Sequence, residues 1–575
     1  MGVPTITLTS EGNRLDPVVQ IEKLEVRRDL NRVPEAHVTV LDGDVAKRKF
    51  PQSDTAFFEP GKSLTIAVRD GDKAAATLFE GLVVRHAVES RPGTSLLRVE
   101  LKDAAYKLTR QRKTAVFRKQ ADDEAIRKLI GDATLKAGEL AATKTKHDEL
   151  IQYYASDWDF IVSRADAQGL VVDVHRGTVS VQPMVGSDAA KLKLEHGMAD
   201  LELDLELDAG EQWAAMTGQA WDVQKLAITA PSDAAKPSVK VGNLDAAAIA
   251  GKLGGDTCAL VHPALVPQGE LKDWATSRLS RSRLALLRGR AWIPGRSDLA
   301  PRDLVELAGV GARFNGKAFI SGVTHTIDHC GWRTELRFGL PPEPFARQPD
   351  IADLPAGGLL PPVHGLHVGV VGDFESDPLG EHRVKVLLSA VDKKQGPVWA
   401  RVARPDAGKD RGVVFWPEPG DEVVVGFLNG DPRQAILLGA LHGSKNPPPD
   451  AAGPPSKDNP KRAIVSKGKS VISFDDDKKI VTVMTAGERK LVIDDDAKAI
   501  TLSDKPGNTI KLDDQGITIK SASGKGITIE TDGKLAMTGQ GITIDAKGDL
   551  AMEGQGITIE AKGNLVLKGD AVDVQ

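Results

Sequence analysis

Residues 311–317 have the spacing of a phosphate-binding loop, with Gly311, Gly316 and Lys317 in the positions of a G-x-x-x-x-G-K motif. In such a loop the backbone N–H groups hold phosphates, and the hydroxyl of the next residue binds magnesium. Here the next residue is Ala318, and residues 319–321 continue as a strand rather than as a helix. The pattern therefore predicts a turn between two strands and no nucleotide site.

Five residues are candidate zinc ligands: Cys258, His262, His325, His329 and Cys330. Structural zinc sites usually combine two closely spaced pairs of such residues. On a strand, His325 and His329 would share one face, Cys330 would point to the other, and no second Cys/His pair is close in sequence. We therefore predict no metal and no cofactor, and we interpret the histidines as satisfied or surface residues.

Aromatic side chains between residues 363 and 445 raise the question of single-stranded nucleic-acid binding, which needs a basic groove with stacking aromatics. Asp421, Glu422 and Asp431 lie among them, so the local charge is wrong for that use. We therefore predict no nucleic-acid partner and a place for these aromatics in the core of a barrel. The residues concerned are Trp399, Phe415, Trp416 and Phe427.

No constellation for catalysis stands out. A glycosidase would need two carboxylates held on a fold, and only the short Pro-rich stretch 446–460 separates the predicted barrel from the repetitive tail. The acidic turns near Asp475 and Asp494 lack the pattern of calcium-binding β-rolls, so we interpret them as solvated corners. We expect no catalytic residues and no enzymatic activity.

Length and composition limit the kinds of domain that can hold these residues. A chain of 575 residues corresponds to about four domains. The net charge of −5, from 75 basic and 80 acidic residues, argues against a dedicated nucleic-acid or polybasic membrane-surface protein. No apolar run reaches the length of a membrane span, and the N-terminus has no signal-peptide pattern. We expect synthesis in the cytoplasm.

Periodicity predicts a mainly β chain with a few helices. Period-two strands are expected at residues 5–8, 36–41, 64–68 and 97–101. Helices are expected at about 122–135, 157–167 and 271–287, and a loop at 246–255. The domain prediction is a hub at 1–345, a Pro-rich linker at 346–362, a barrel at 363–445, a second linker at 446–461 and a repetitive tail at 462–575.

The tail is a short-period repeat. The sequence Gly-Ile-Thr-Ile occurs at 516–519, 526–529, 541–544 and 556–559, the last three at 15-residue spacing. Strands this short expose edges that a lone chain covers poorly, whereas threefold intertwining would pair them. A single-chain β-solenoid is the alternative. The predicted core of the trimer consists of Ile517, Ile519, Ile527, Ile529, Leu535, Met537, Ile542, Ile544, Leu550, Met552, Ile557, Ile559, Leu565 and Leu567.

Several stretches resemble one family, the VgrG-type spike proteins of contractile injection systems, which are related to the baseplate hub and needle of contractile phage tails. QYYASDWDFI at 152–161 and GVGARFNGK at 309–317 resemble the hub, and GDEVVVGFLNGDP at 420–432 resembles the barrel that follows it. The Gly-Ile-Thr-Ile tail resembles the needle. The stretches occur in the family's own order and together cover most of the chain.

The resemblance implies a fold and a set of partners. The fold has two tube-like β-barrel domains in the hub, an oligomer-binding (OB) barrel and a trimeric triple-stranded β-helix needle. Three chains would form a six-lobed ring that caps a hexameric inner tube protein, surrounded by baseplate proteins. The machine would be a phage tail, a type VI secretion system or an extracellular particle. The residues 31–34, 42–44 and 57–61 look more like the extracellular type.

The last residues predict a docking surface. Val572, Val574 and Gln575 would leave an open apolar end in a trimer, and solenoid ends are ordinarily capped. We expect a separate conical tip protein of the PAAR type there, with effectors attached to it. The predicted function is a trimeric central spike that punctures a target envelope, delivered to the extracellular side. The alternative is a secreted enzyme or adhesin on a β-solenoid stalk.

Overall fold

The fold was analysed in a computed structural model, which describes residues 4–184, 189–237, 242–389 and 396–574. The chain divides into two compact units, Met1–Pro362 and Val363–Gln575. None of the helices within the described ranges has the length and apolar character that crossing a membrane requires.

The first unit is built from twenty-two strands and four α-helices within the described ranges. The strands are β1 Pro4–Ser10, β2 Asn13–Arg14, β3 Ile21–Asp29, β4 Glu35–Leu41, β5 Ser63–Asp70, β6 Ala76–Arg91, β7 Thr94–Lys102, β8 Arg112–Ala121, β9 Lys136–Leu140, β10 Lys146–Ser156, β11 Leu170–His175, β12 Thr178–Pro183, β13 Ala190–Glu195, β14 Glu202–Leu207, β15 Ala215–Asp222, β16 Ala227–Ile228, β17 Ser232–Asp233, β18 Thr257–His262, β19 Leu287–Pro294, β20 Leu304–Ala308, β21 Gly316–Asp328 and β22 Gly331–Phe338. The helices are α1 Asp122–Asp132, α2 Asp157–Ala167, α3 Ala246–Lys252 and α4 Gln268–Ala285.

Two β-rich cores share one thirteen-stranded sheet in this unit. The first core packs side chains of β1 and β3–β7, among them Leu24, Val38 and Ile66. The second packs side chains of β13 and β19–β22, among them Ile293, Val305 and Leu336. Strands β21 and β3 pair directly, which joins the two. The mainly β class is confirmed, and the two cores lie in the region for which two tube-like barrels were predicted.

A third core holds the helices. Ile126 and Ile130 of α1 and Ile161 of α2 are fully buried with strand residues of β11 and β12. Helix α2 has the predicted bounds because Ser156 caps it, accepting the Asp159 N–H at 3.0 Å. The loop predicted at 246–255 is wrong. Asp245 caps α3 there by accepting the N–H of Ala247 at 2.9 Å, and an alanine-rich run propagates the helix.

The Pro-rich stretch after the hub strands is held against this third core. Phe345 is buried in it, and the Phe345 N–H donates to Asp166 Oδ2 at 3.1 Å. Arg112 donates to the backbone carbonyls of Asp350 and Ile351 at 2.7 and 2.8 Å. The residues predicted as the start of a linker are therefore anchored, which local composition does not reveal.

The second unit begins with a closed five-stranded barrel in the order β23-β24-β25-β29-β28, and it continues with a seven-stranded antiparallel sheet formed by β30–β36 in sequence order. The predicted OB-type barrel is confirmed. The strands are β23 His367–Val371, β24 Val384–Leu388, β25 Val398–Val402, β26 Ala407–Gly408, β27 Arg411–Gly412, β28 Glu422–Phe427, β29 Ala435–Ala440, β30 Lys461–Val465, β31 Val471–Asp475, β32 Ile480–Met484, β33 Lys490–Asp494, β34 Ala499–Ser503, β35 Thr509–Asp513 and β36 Gly516–Lys520.

Candidate trimer interface

The seven strands β30–β36 are each five residues long and are joined by tight turns. Side chains of the acidic corners shape these turns: Asp475 Oδ1 accepts the Lys478 N–H at 3.1 Å, and Asp494 Oδ1 accepts the Ala497 N–H at 2.8 Å. Lys479 and Lys498 then adopt left-handed φ angles of 51° and 50°. Residues predicted as solvated corners are thus turn-forming residues, and they fix the strand register.

The register stacks apolar residues on one face of this sheet. Residues directly opposite in an antiparallel pair project to the same side, and successive pairs such as Leu502 with Ile510 and Ile510 with Ile519 continue from strand to strand. The opposite face carries residues such as Ser473, Thr482 and Thr518. The apolar face consists of Ile464, Ile472, Phe474, Val481, Val483, Leu491, Ile493, Ile500, Leu502, Ile510, Leu512, Ile517 and Ile519.

No other part of the described chain covers this apolar face. Phe474, Leu502 and Ile519 are exposed by 41, 45 and 54%. Contiguous apolar surface of this extent is rare on monomeric soluble proteins and marks an interaction site. Ile517 and Ile519, which the sequence placed in the core of a trimer, lie on this face. The upstream members of the face were missed, although their alternation with polar residues could have identified them.

Beyond β36 the described chain no longer forms paired strands. Within the described residues 521–574 no segment pairs as a strand with another segment of the chain. The Lys525 N–H donates to the Ala522 carbonyl at 3.0 Å, and no backbone-to-backbone hydrogen bond follows in the described residues 526–574. Bends recur at 532–533, 539–540, 547–548, 554–555, 562–563 and 569–570.

These bends divide the tail into short straight segments. Each bend contains a glycine, and two segments make up one 15-residue repeat, one with Gly-Ile-Thr-Ile and the other with an apolar residue at alternate positions. A single-chain β-solenoid would pair successive coils within the chain, and that pairing does not occur among the described residues. Unpaired backbone groups need partners when they are buried. The segments therefore present both apolar side chains and free backbone edges.

The predicted core residues of the tail are all exposed. From Ile527 to Leu567 the twelve side chains named from the sequence are between 52 and 67% exposed. Val572 and Val574, at the predicted tip, are 57 and 85% exposed. Gln575, the third predicted tip residue, lies outside the described residues. No segment of the described chain brings these side chains together.

The hub motif at 152–161 has a structural role. Gln152 is fully buried, and its Nε2 donates at 2.9 Å to both the Ala155 carbonyl and Asp157 Oδ1. Lys113 Nζ donates to Asp157 Oδ2 at 2.6 Å. These contacts hold a bulge in β10 and the start of α2, so the motif positions the hub helices.

Buried charges also hold the helices, and sequence reasoning missed them. Arg164 of α2 donates to Asp122 of α1 at 2.6 Å and to Glu270 of α4 at 2.7 Å. Arg281 of α4 pairs with Asp166 of α2, and both residues are less than a tenth exposed. The partners are up to 115 residues apart, so no local pattern announces them.

The candidate phosphate loop is a turn between strands, as predicted, because Leu304–Ala308 and Gly316–Asp328 pair on either side of it. The five candidate zinc ligands do not come together in one site. Cys258 and His262 lie on β18, in a different sheet from β21. The prediction that His325 and His329 share a strand is wrong, because β21 ends at Asp328.

The other candidate ligands, His325 on β21 and His329 and Cys330 in the turn after it, have different environments. His325 is buried, its Nδ1 lies 3.0 Å from Thr334 Oγ1, and burial together with the charge of Arg28 lowers its pKa to about 4. Asp328, His329 and Cys330 bring one donor atom each within 4.8 Å in the exposed β21–β22 turn. Asp328 Oδ1 already accepts the Cys330 N–H at 2.8 Å, so this set fits a hydrogen-bonded turn.

The barrel aromatics depart from the prediction. Phe427 packs against the barrel core, but Phe415 and Trp416 are 58 and 46% exposed, so their predicted place in the core is wrong. They lie in the stretch between β27 and β28, where the Arg404 guanidinium stacks 4.4 Å from the Trp416 ring centroid. The small barrel is filled by valine, leucine and alanine, which leaves no room for these aromatic rings.

Three family models match the chain in succession. Residues 1–329 match the Alg8 N-terminal domain, residues 367–442 the type VI secretion system/phage-baseplate injector OB domain, and residues 480–546 the phage baseplate V C-terminal trimerisation domain. The third match covers most of the apolar face and the first 15-residue repeat, residues 526–540.

Curated relatives are similar over short stretches. The actin cross-linking toxin VgrG1 of Vibrio cholerae is 35% identical over 96 residues, which are 16% of this chain and 9% of that protein. The type VI secretion system spike protein VgrG5 of Pseudomonas aeruginosa is 50% identical over 48 residues, 8% of this chain and 6% of that protein. The chain therefore spans less than a tenth of the length of these relatives.

Among solved structures, a tail protein from Neisseria meningitidis is 15% identical with a TM-score of 0.45, over 61% of this chain and 99% of that one. An E. coli component of the type VI secretion system is 15% identical with a TM-score of 0.38, over 76% of this chain and 99% of that one.

Proposed function

The chain belongs to the family of the Alg8 N-terminal domain, and from this premise we propose that it is the trimeric central spike of a contractile injection system. The OB and trimerisation matches that follow confirm the resemblance to VgrG-type and phage hub–needle proteins. In this function the hub caps the inner tube and the tail forms the needle. Contraction of a sheath drives the needle through an envelope, so the work is mechanical and uses no catalytic residue.

The main support for this proposal is the tail, whose apolar side chains are not covered by the rest of the described chain. An apolar face of seven strands and a run of segments without internal backbone pairing lie within one stretch of chain. Three copies would bury the apolar face around a common axis and would pair the free backbone edges of one chain with those of the next. Water alone could satisfy the backbone groups, but it would leave the apolar side chains exposed at a cost of about 25 cal/mol per Å².

The hub sheet supports a ring of three chains. Eight successive strands, β14-β19-β22-β21-β3-β4-β7-β6, present charged residues on one face, such as Arg27, Glu35 and Lys102 in adjacent positions. Among the described residues both outer strands have a free edge, because β14 pairs there only with β19 and the second half of β6 only with β7. Joining these edges between copies would close a ring with a polar lining and no exposed edge.

The partners follow from this arrangement. We propose a hexameric inner tube protein on the hub ring, baseplate proteins around it, and a PAAR-type tip protein, with or without effectors, on Val572, Val574 and Gln575. Val572 and Val574, which are 57 and 85% exposed, are the apolar side chains that such a partner would cover. The assembled particle would act at the target envelope.

Mass in solution tests the proposal. Light scattering of the full chain at micromolar concentration is expected to give about three times 61.3 kDa. A chain that ends before residue 462 is the comparison, and it should lose most of the trimer. A full-length mass of one chain would exclude the spike function, since only that reading requires three copies.

A further inference from the structure

The turn between β21 and β22 brings three metal-binding residue types together. Asp328 and Gly331 are the last residues paired across the two strands, so His329 and Cys330 form a two-residue turn between them. Gly331 closes this turn with a left-handed φ of 106°. Successive side chains of a strand point to opposite faces, but that rule ends with the strand at Asp328. The turn can therefore direct His329 and Cys330 to the same side.

The donor atoms of the three side chains converge. Cys330 Sγ lies 3.2 Å from His329 Nε2, and a carboxylate oxygen of Asp328 completes a set whose members lie within 4.8 Å of one another. In a tetrahedral zinc site, bond lengths of about 2.0–2.3 Å place neighbouring donor atoms about 3.3–3.6 Å apart. His329 and Cys330 are exposed. Side-chain rotations of about 1 Å therefore suffice for the three donors to share one ion.

The carboxylate in this set is oriented but not neutralised. Asp328 Oδ1 accepts the Cys330 N–H at 2.8 Å, and such outer hydrogen bonds orient the carboxylates that bind metals. The bond leaves lone pairs on both carboxylate oxygens. Within the described ranges Asp328 takes part in no ion pair, and the first cation along β22, Arg333, pairs with Glu202 at 2.7 Å. The described chain therefore supplies no cation to this carboxylate.

We propose that Asp328, His329 and Cys330 form a zinc site, in which the carboxylate, His329 Nε2 and the Cys330 thiolate bind the ion and water takes the fourth position. Thiolate and imidazole favour zinc over magnesium and calcium. On binding, the Cys330 thiol proton passes to the solvent, and the two negative charges of carboxylate and thiolate balance Zn²⁺. This proposal reverses the expectation of no metal, which rested on a strand through residue 330. It is independent of the spike function, because one chain supplies all three ligands.

The first experiment uses Co²⁺ as a spectroscopic probe for Zn²⁺. The full-length protein, prepared without a histidine tag and freed of metal with EDTA, is titrated with Co²⁺. We expect one equivalent per chain to produce thiolate-to-cobalt charge-transfer absorption, and Zn²⁺ to remove that absorption because it binds more tightly. Cys330→Ser should abolish the absorption. Cys258→Ser, which removes the other cysteine of the chain, is the matched control and should keep it.

The second experiment measures the affinity for Zn²⁺ by titration calorimetry. His329→Ala and Asp328→Asn should each weaken binding by at least about 10-fold, because losing a direct ligand costs no less than losing an outer hydrogen bond. Asparagine keeps an oxygen for the Cys330 N–H, so the turn is preserved. His262→Ala, an exposed histidine on β18, is the control and should leave the affinity unchanged. The affinity of the parent should rise with pH, because the thiol must lose its proton.

The outcomes are distinct. The proposal is overturned if the parent gives no thiolate absorption with Co²⁺, or if Cys258→Ser loses it while Cys330→Ser keeps it. It is also overturned if His329→Ala and Asp328→Asn bind Zn²⁺ as tightly as the parent, since the thiol would then act without them. The metal-free variants should melt at the temperature of the metal-free parent, which separates loss of a ligand from loss of the fold. None of these results depends on the mass of the trimer, so the zinc site and the spike function are tested separately.

Discussion

Ile510 of β35 lies directly opposite Ile519 of β36, and both side chains remain exposed, by 39 and 54%. In the same two strands Leu512 faces Ile517. Cross-strand apolar pairs stabilise a sheet when a second layer covers them, and this chain supplies no such layer within its described residues. The pair marks the point at which in-chain strand pairing ends and the repetitive tail begins. In the proposed trimer, the other two copies supply the covering layer.

Aspartate substitutions in the tail should distinguish its inward-facing positions from its outward-facing positions. Ile529→Asp or Ile544→Asp should disrupt the needle, because each would place three carboxylates near the threefold axis. Burying an unpaired charge costs several kcal/mol per chain. Thr528→Asp, on the alternate position of the same segment, should change stability by about 1 kcal/mol or less per chain. Thermal dissociation of the trimer measures both, and an equal response would show that the inward and outward faces are wrongly assigned.

Shortening the tip should affect the cap alone. Deletion of residues 571–575 removes Val572 and Val574 but leaves every Gly-Ile-Thr-Ile repeat in place. The trimer is expected to keep its mass in light scattering and to lose a PAAR-type partner in a pull-down. Substituting Asp573→Asn, which preserves both valines, is the control. Unchanged cap affinity after the deletion would place the docking surface elsewhere.

The hub should lose stability in mild acid through His325. Its pKa is about 4 in the folded protein, against about 6.5 in an unfolded chain. The unfolded state therefore binds more protons between these values, so the stability is complete above pH 6.5 and falls as the pH drops toward 4. At pH 5 the loss is about 2 kcal/mol.

Urea unfolding of the hub at pH 7 and pH 5 measures this loss. His325→Gln, which keeps a polar partner for Thr334, should reduce the difference between the two pH values. His329→Gln, in the exposed turn, should leave it as in the parent. A parent hub whose stability changes no more than that of His325→Gln would contradict the prediction.

Tyr154 should be a strained position. It has a φ of 42° at the bulge of β10, a conformation that a bulky side chain adopts at a cost of about 1–3 kcal/mol. Tyr154→Gly should therefore raise the free energy of unfolding of the hub by about 1 kcal/mol after the greater freedom of glycine in the unfolded chain is counted. Tyr153→Gly, next to it without a left-handed φ, should lower the free energy of unfolding. Equilibrium unfolding in urea distinguishes the two.

The sequence alone determined those features that local periodicity encodes. Helix α2 was predicted with its observed bounds because its cap and its apolar spacing lie within a dozen residues. The turn at 311–317 and the apolar positions of the tail were predicted for the same reason, since alternation with period two is visible in any short window. The order of hub, barrel and repeat could be identified from motifs that are contiguous in the chain.

The tertiary structure decided what depends on distant residues. The pair Asp166–Arg281 and the buried Phe345 join elements far apart in sequence, so nothing local predicts them. Trp416 lies outside the barrel because aliphatic side chains already fill the barrel core. This outcome depends on the total volume of the core side chains and not on the spacing of hydrophobic residues in the sequence. The spacing of hydrophobic residues specifies whether a segment is a helix or a strand and which of its faces is buried. Which other segment covers that face is decided by packing in three dimensions.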